Sequence, residues 1–144
     1  MRRFQFRLER LLQIRRYRER EWELKLADIT GQCLLIKNTI ADYRRKIVTC
    51  LIERPKTKGA LDLIDLNQRD LFVQCMTQNI VKLEKELVKK EDERRKVQKQ
   101  YLVYSKQRKV LDKLKAKKEQ EYYTEQRREE FYVMDDINNG SIIR

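Results

Sequence analysis

Residues 22–50, WELKLADITGQCLLIKNTIADYRRKIVTC, decide the fold of this chain, because apolar side chains recur there in alternating steps of four and three residues. The stripe consists of Trp22, Leu26, Ile29, Cys33, Ile36, Ile40, Tyr43, Ile47 and Cys50. An α-helix places residues at this spacing along one side, where they pack against an equivalent stripe on a partner helix. The pattern therefore predicts one helix of a coiled coil.

A second stripe of the same period follows a break at Pro55 and Gly59. Its apolar members are Leu66, Val73, Met76, Ile80, Leu83, Leu87, Val97, Tyr101, Tyr104 and Leu111, with Arg69, Lys90, Arg94 and Arg108 at intervening positions. Pro55 lacks a backbone N–H and disfavours α geometry in the residue before it, so the first helix is expected to end there. The predicted fold class is all-α, a long two-helix antiparallel coiled-coil hairpin.

The predicted boundaries follow from the positions of the helix breakers. We expect one helix over residues 4–54, a turn over 55–60 and a second helix over 61–134, which together form a single hairpin domain over residues 1–134. Asn138, Asn139 and Gly140 are weak helix formers, so residues 135–144 are expected to be a flexible tail. Because the second helix is longer than the first, its C-terminal part is expected to overhang.

The register of an antiparallel pair can also be predicted, because the two position numbers in each layer of the seam have a constant sum. A tip at Lys58, between Pro55 and Gly59, gives a register in which the apolar layers match. The pairs of this register include Cys50 with Leu66, Tyr43 with Val73, Ile40 with Met76, Trp22 with Arg94 and Arg15 with Tyr101. Charged residues that interrupt the stripes, such as Glu19 and Lys90, either specify this register or weaken the pairing locally.

The composition is that of long helices rather than of a compact domain with several layers. The chain has 144 residues with 3 Gly and 1 Pro, and charged residues make up 40% of it. Its 35 Lys and Arg against 23 Asp and Glu give a formal net charge of +12, which favours acidic protein partners, nucleic acid or an anionic membrane surface. Charge alone does not choose among these partners.

Several classes of function lack their usual residues. The chain has no His, its Cys33, Cys50 and Cys75 form no C-x-x-C pair, and it contains no G-x-x-x-x-G-K-[ST] loop. We therefore expect no catalytic residues, no metal or cofactor site and no small-molecule substrate. Zinc-finger and basic-zipper patterns are also missing, which disfavours specific nucleic-acid binding. No apolar run approaches the roughly 20 residues of a membrane span, and the cysteines suit a reducing compartment, so a cytoplasmic location is expected.

Two groups of apolar side chains fall outside the stripes and are candidates for partner binding. One is an aromatic group near the ends of the chain, consisting of Phe4, Phe6, Tyr122, Tyr123, Phe131 and Tyr132. Since the first helix is too short to cover the last of these, they indicate a protein-docking end, with fraying or self-association as the alternative. The other group is Phe72 beside Tyr43, an aromatic edge that suits either a partner or lateral packing.

The N-terminal string Phe4-Gln5-Phe6-Arg7-Leu8-Glu9-Arg10-Leu11-Leu12, continued by Arg15 and Arg16, resembles the opening signature of the FliJ family. This family comprises the chaperone and ATPase-stalk proteins of bacterial flagellar type III protein export. Length, basic charge and the predicted hairpin agree with that family along the whole chain. A second similarity, to the surface that the family uses for the export-gate protein FlhA, involves Ile40, Ala41, Asp42, Tyr43, Phe72, Met76, Asn79 and Leu83.

The resemblance implies a non-enzymatic stalk, similar to the paired terminal helices of the rotary ATPase γ subunit, whose open end docks in the ring of the export ATPase FliI. The residues implied for the ATPase ring are Phe4, Phe6, Arg7, Leu8, Leu11, Leu12, Tyr122, Tyr123, Phe131 and Tyr132. Those implied for the export gate are Ile40, Tyr43, Phe72, Met76, Asn79 and Leu83.

The resemblance further implies that the chain escorts substrate-specific export chaperones. Contact with the membrane is then indirect, as a peripheral component at the cytoplasmic face of the inner membrane. The alternatives are the YscO-like stalk of an injectisome and, in a different class, a nucleic-acid-associated or cytoskeletal coiled coil.

Overall fold

The computed structural model describes residues 3–53 and 63–142 and contains two α-helices in this part of the chain. Helix α1 covers Glu9–Ile52 and helix α2 covers Leu63–Ile142. The two described ranges contain no β-strand, and the predicted all-α hairpin fold is confirmed. The predicted turn at Pro55 and Gly59 lies outside the described residues.

Helix α1 begins later than the sequence pattern predicts. Residues 3–6 are not helical, and the backbone N–H of Glu9 donates to the Phe6 carbonyl at 3.1 Å to close the turn before α1. Glu9 places a carboxylate in the first helical turn, where it complements the positive end of the helix dipole. The segment 3–8 is therefore a non-helical arm in front of α1.

Helix α2 ends later than predicted. It continues to Ile142, through the residues that we expected to form a flexible tail from Asp135. No proline occurs after Pro55, so the weak helix formers Asn139 and Gly140 reduce the stability of the helix there without removing any of its backbone donors.

The chain divides into two compact units, each of which contains part of both helices. The terminal unit consists of Met1–Trp22 and Tyr101–Arg144, and the central unit consists of Glu23–Gln100. In each unit α1 and α2 pack side by side in antiparallel directions, as the matching stripes require. Each core is one thin layer of side chains between two helices.

The core of the terminal unit contains Leu12, which is fully buried, and Leu111, which is 5% exposed. Trp22 stacks on Tyr104 with 5.7 Å between ring centroids and 18° between ring planes. Ser105, beside Tyr104, is a buried polar residue. Both helices thus contribute aliphatic and aromatic side chains to this seam at the spacing that the stripes predict.

The core of the central unit contains Cys33, Ile40 and Ile80, all of which are buried. The remaining stripe residues of this unit are half-buried, except Leu66, which is 43% exposed. Predicted stripe membership is therefore correct nearly throughout the unit, and the exposure of Leu66 needs a separate explanation.

That explanation is the register of the two helices in the central unit. Arg69 donates from Nη1 to the backbone carbonyl of Glu53 at 2.5 Å, whereas the predicted register places Ile47 opposite Arg69. The Glu53 carbonyl belongs to the residue directly after α1, so this contact locates α2 along α1 to within about the reach of one Arg side chain. The displacement from the predicted register is six positions in this contact and twelve in the Arg44–Glu84 and Lys37–Glu91 ion pairs. The predicted register was therefore wrong by roughly ten residues, and Cys50 is not the partner of Leu66.

The terminal unit corrects the register in the same direction. Arg15 donates from Nη1 to the Gln107 carbonyl at 2.9 Å, six positions beyond the predicted Tyr101. Trp22 stacks on Tyr104 rather than lying at the level of Arg94. The Trp22–Tyr104 stack corresponds to a displacement of ten residues, and this displacement again brings seam positions of the two helices together. The apolar pattern alone therefore fits both registers.

Candidate protein-docking sites

Three aromatic rings that the sequence singles out meet in the terminal unit. The Phe4 ring lies 5.6 Å from the Tyr122 ring, at an interplanar angle of 50°. The Tyr122 ring in turn makes an edge contact with the Tyr123 ring, at 5.7 Å and 74°. Tilted and edge-to-face arrangements are those that aromatic quadrupoles favour. The non-helical arm is therefore held against α2 by its own phenylalanine.

The arm and α2 border an open groove of about 670 Å³. Its aromatic lining is Phe4, Phe6 and Tyr123, and its charged lining is Arg3, Arg7, Glu9, Arg10, Lys115 and Glu119. Lys115 Nζ lies 2.8 Å from the Glu9 carboxylate, which ties the start of α1 to α2. The groove offers apolar surface within a mostly cationic rim, a combination that suits an acidic protein surface.

The leucines of the N-terminal signature differ in what they contact. Leu8 and Leu11 are 36% and 39% exposed, so each has surface to offer a partner. Leu12 is fully buried and lies in the same thin core as Leu111. Of the predicted ring-binding residues, Leu12 therefore supports the unit from inside. Extending the apolar stripe back from Trp22 in steps of three and four residues, through Glu19 and Arg15, reaches Leu12 and could have indicated this.

Phe131 and Tyr132 lie further along α2 than the three-ring cluster. They are 71% and 69% exposed, and the neighbouring Val133 and Met134 are also exposed. Phe131 follows Tyr122 by nine residues, or about 13 Å of helix at 1.5 Å per residue. The structure thus groups Phe4, Phe6, Tyr122 and Tyr123 and leaves Phe131 and Tyr132 as a separate exposed set.

A polar cluster joins α1 to α2 between this end and the Trp22 stack. Arg108 donates to Glu19 from Nε and to Asp112 from Nη1, and Arg16 donates to Asp112 at 3.0 Å. Burial by itself raises the pKa of Asp112, but the hydrogen bonds from Arg16 and Arg108 outweigh it and hold that pKa below its usual value. The same carboxylates raise the pKa of Arg108, so the cluster remains ionised.

Sequence reasoning noted Glu19 only as an interruption and missed Asp112 as its counterpart. The available signal was charge complementarity. Arg16 and Asp112 occupy equivalent flanking positions of the two stripes and carry opposite charges. The cluster was thus detectable only after the correct register was known.

The predicted export-gate residues lie in the central unit, with unequal access to a partner. Ile40 is 5% exposed, so its side chain belongs to the core. Tyr43, Met76, Asn79 and Leu83 are half-buried at the edges of the seam. Lys46 Nζ lies 5.6 Å from the centroid of the Tyr43 ring, a cation–π contact that covers part of this ring.

Phe72 is the most exposed member of this set, at 38%. It lines an open groove of about 550 Å³ whose other lining residues are Asp42, Arg45, Lys46, Thr49, Cys50 and Glu53. The expected aromatic edge paired Phe72 with Tyr43, but the groove extends toward the C-terminal end of α1. This displacement follows from the register, because Phe72 faces a later part of α1 than predicted.

Other kinds of site are not found in the part of the chain that the structure describes. Within residues 3–53 and 63–142, no group of three or more Cys, Asp or Glu side chains is arranged to hold a metal ion. In the same ranges, neither helix has an apolar stretch of the length and hydropathy needed to cross a membrane. The described surface features are grooves and exposed aromatic side chains, which suit contacts with other proteins.

Comparison with known proteins gives one result. The family model described as "Flagellar FliJ protein" matches residues 4–144 of the chain. No curated protein matches the chain, and no solved structure matches it either.

Proposed function

The chain belongs to the FliJ family of flagellar proteins, and from that premise we propose that it is a stalk-like component that binds the export ATPase FliI and the export-gate protein FlhA. The family supports a role in flagellar protein export, and that role is non-enzymatic. We extend this export role to two named partners, FliI and FlhA, and to the two surfaces described above. The proposed role also includes the escort of export chaperones and a peripheral position at the cytoplasmic face of the inner membrane.

The observation that supports ATPase binding most strongly is the exposure of aromatic side chains beyond the three-ring cluster. Phe131 and Tyr132 are each about 70% exposed on α2. A helix gains stability mainly by burying an apolar face, so a helix that exposes one is suited to burying it in a larger assembly. The cationic groove between the arm and α2 adds electrostatic attraction for an acidic ring surface.

The groove around Phe72 supports a separate contact with FlhA. It combines one half-exposed aromatic ring with a rim of Asp42, Arg45 and Lys46. Aromatic residues surrounded by polar groups are typical of the central anchors in protein interfaces. We assign Phe72 the main role and give Ile40 a supporting role, because the buried Ile40 side chain belongs to the core of the central unit.

The test measures binding of purified variants to the FliI ring and to the cytoplasmic region of FlhA in parallel. Phe131→Ala with Tyr132→Ala should weaken binding to FliI at least tenfold and leave binding to FlhA unchanged. Phe72→Ala should do the opposite, so each variant is the control for the other. Circular dichroism should give the wild-type helicity for both, since these side chains are exposed.

If the wild-type chain has its normal helicity and binds neither FliI nor FlhA, the proposed function is wrong. Binding to an injectisome ATPase in place of FliI would favour the YscO-like alternative. Retention on nucleic acid at about 150 mM salt, where long-range charge effects are largely screened, would favour the nucleic-acid-associated class.

A further inference from the structure

The outer side of α1 in the terminal unit carries an apolar ridge that nothing in the described residues covers. Leu11, Ile14 and Tyr17 follow one another at three-residue steps and are 39%, 52% and 74% exposed. Residues at this spacing form one of the ridges by which helices pack. An open groove of about 590 Å³ lies on this side, lined by Arg10, Gln13, Ile14, Tyr17, Arg18 and Glu21.

The cationic groups beside this ridge outnumber the one carboxylate of the groove, Glu21. Arg15 and Arg16 point to α2, where they contact the Gln107 carbonyl and Asp112. Arg7, Arg10 and Arg18 form no ion pair with any residue in the described ranges, and Arg10 and Arg18 lie in the groove itself. A partner that covers the ridge must therefore bring apolar side chains together with carboxylates.

The end of α2 has the complementary composition. Phe131, Met134 and Ile137 also follow one another at three-residue steps and are 71%, 69% and 64% exposed. Residues 129–137, EEFYVMDDI, contain four acidic residues and no Lys or Arg. None of Glu129, Glu130, Asp135 and Asp136 forms an ion pair within the part of the chain described by the structure.

We propose that two copies of this chain associate in antiparallel orientation through their terminal units, with the α2 end of each copy packed on the outer side of α1 of the other. Phe131, Met134 and Ile137 of one copy cover Leu11, Ile14 and Tyr17 of the second, and the flanking carboxylates meet Arg10 and Arg18. Each ridge spans six residues, about 9 Å of helix, so the two match in length as well as in charge.

The arrangement closes with two-fold symmetry. Each copy has one acidic ridge and one basic ridge, so a dimer with antiparallel terminal units satisfies both contacts at once. A net charge of +12 per chain opposes association, and the local pairing of acidic with basic ridges offsets this repulsion. The dimer buries Phe131, so it also makes this end of the chain unavailable to any other partner.

The test is the oligomeric state of the purified full-length chain, measured by sedimentation velocity across a micromolar concentration series. Wild type should approach twice the 17.7 kDa mass of one chain as concentration rises. Arg10→Glu with Arg18→Glu, and separately Glu129→Arg with Glu130→Arg, should each remain monomeric. Mixing these two variants in equal amounts should restore the dimer, because one contact is then charge-swapped and the other is wild type.

A control variant checks that the effect is local. Lys82→Glu with Lys89→Glu changes the net charge by the same amount as the α1 variant, on exposed residues of the central unit, and should dimerise like the wild type. Circular dichroism should give unchanged helicity for every variant.

A wild type that stays monomeric, single variants that dimerise, or a mixture that stays monomeric would each overturn the proposal. None of these outcomes bears on binding to FlhA through Phe72, so a failure of the dimer can be distinguished from a failure of the proposed function.

Discussion

Arg108 on α2 donates a hydrogen bond to the carboxylate of Glu19 on α1, across 89 positions of sequence. The Glu19 side chain is only 13% exposed and that of Arg108 is 26% exposed. Arg108→Ala removes the hydrogen-bond donor that Glu19 and Asp112 share, and both carboxylates are partly buried. We expect the free energy of unfolding to fall by about 1–3 kcal/mol, measured by urea denaturation.

The matched control for this prediction is Arg44→Ala in the central unit. Arg44 Nη2 lies 2.9 Å from Glu84, but their side chains are 64% and 48% exposed. Exposed ion pairs contribute about 0–1 kcal/mol, so this variant should lose less stability than Arg108→Ala. Equal losses for the two variants would mean that the burial of the Arg108 cluster has no energetic consequence.

The cluster should also make stability depend on acid pH. The pKa of Asp112 in the folded chain lies below its ordinary value of 3.8, because the hydrogen bonds from Arg16 and Arg108 outweigh the effect of burial. A lowered pKa gives stability that is present above the ordinary value and is lost as pH falls through the folded value. Asp112→Asn should therefore flatten the fall in unfolding free energy below about pH 4.

Thermal or urea unfolding at a series of acid pH values measures this dependence. Asp70→Asn removes an exposed carboxylate that forms no ion pair among residues 3–53 and 63–142, and it serves as the control. If Asp112→Asn has the same pH profile as the wild type, Asp112 does not contribute through its ionised form.

The stack of Trp22 on Tyr104 can be tested with the intrinsic fluorescence of the chain, because Trp22 is its only tryptophan. Tyr104→Leu keeps apolar volume but removes the aromatic pair, so stability should fall by about 0.5–1.5 kcal/mol and the emission spectrum should change. Tyr132→Leu is the control, since Tyr132 is 69% exposed. An unchanged spectrum in Tyr104→Leu would contradict the stack.

The buried Leu12 separates packing from docking within the N-terminal signature. Leu12→Ala should lower the free energy of unfolding by about 2–5 kcal/mol, because it leaves a cavity in a core that is one layer thick. Leu8→Ala, at a site that is 36% exposed, should cost less than about 1 kcal/mol. Urea denaturation measures both, and similar losses for the two would mean that Leu12 is not the packing residue.

The corrected register of the central unit predicts which engineered cysteines can form a disulfide. A displacement of eleven residues, between the six of the Arg69–Glu53 contact and the twelve of the Arg44–Glu84 ion pair, places Ile40 opposite Leu87 instead of Met76. In a background without Cys33, Cys50 and Cys75, Ile40→Cys with Leu87→Cys should oxidise to an intramolecular disulfide. Ile40→Cys with Met76→Cys should not, because disulfides require Cα atoms within about 7 Å. Mass spectrometry after mild oxidation distinguishes the two, and preferential oxidation of the second pair would restore the original register.

The sequence by itself determined the type and the inner faces of the helices. Apolar side chains at four- and three-residue steps can be buried together only on one side of an α-helix, so Cys33, Ile40, Ile80 and Leu111 were correctly predicted to face the seam. The family signature in residues 4–12 is likewise a local property of the sequence. These predictions hold because each depends on a short window of residues and on helix geometry.

Only the tertiary structure decided how far one helix is displaced along the other and which signature residues are exposed. Seam positions recur every three or four residues, so a shift of about ten residues again pairs seam positions of the two helices, and only specific contacts such as the Trp22–Tyr104 stack and the Arg44–Glu84 ion pair distinguish the registers. The non-helical arm, with Phe4 against Tyr122, depends in the same way on a partner more than 100 residues away. Such long-range contacts have no signature in any short window, which is why sequence periodicity could predict the helices but not their alignment.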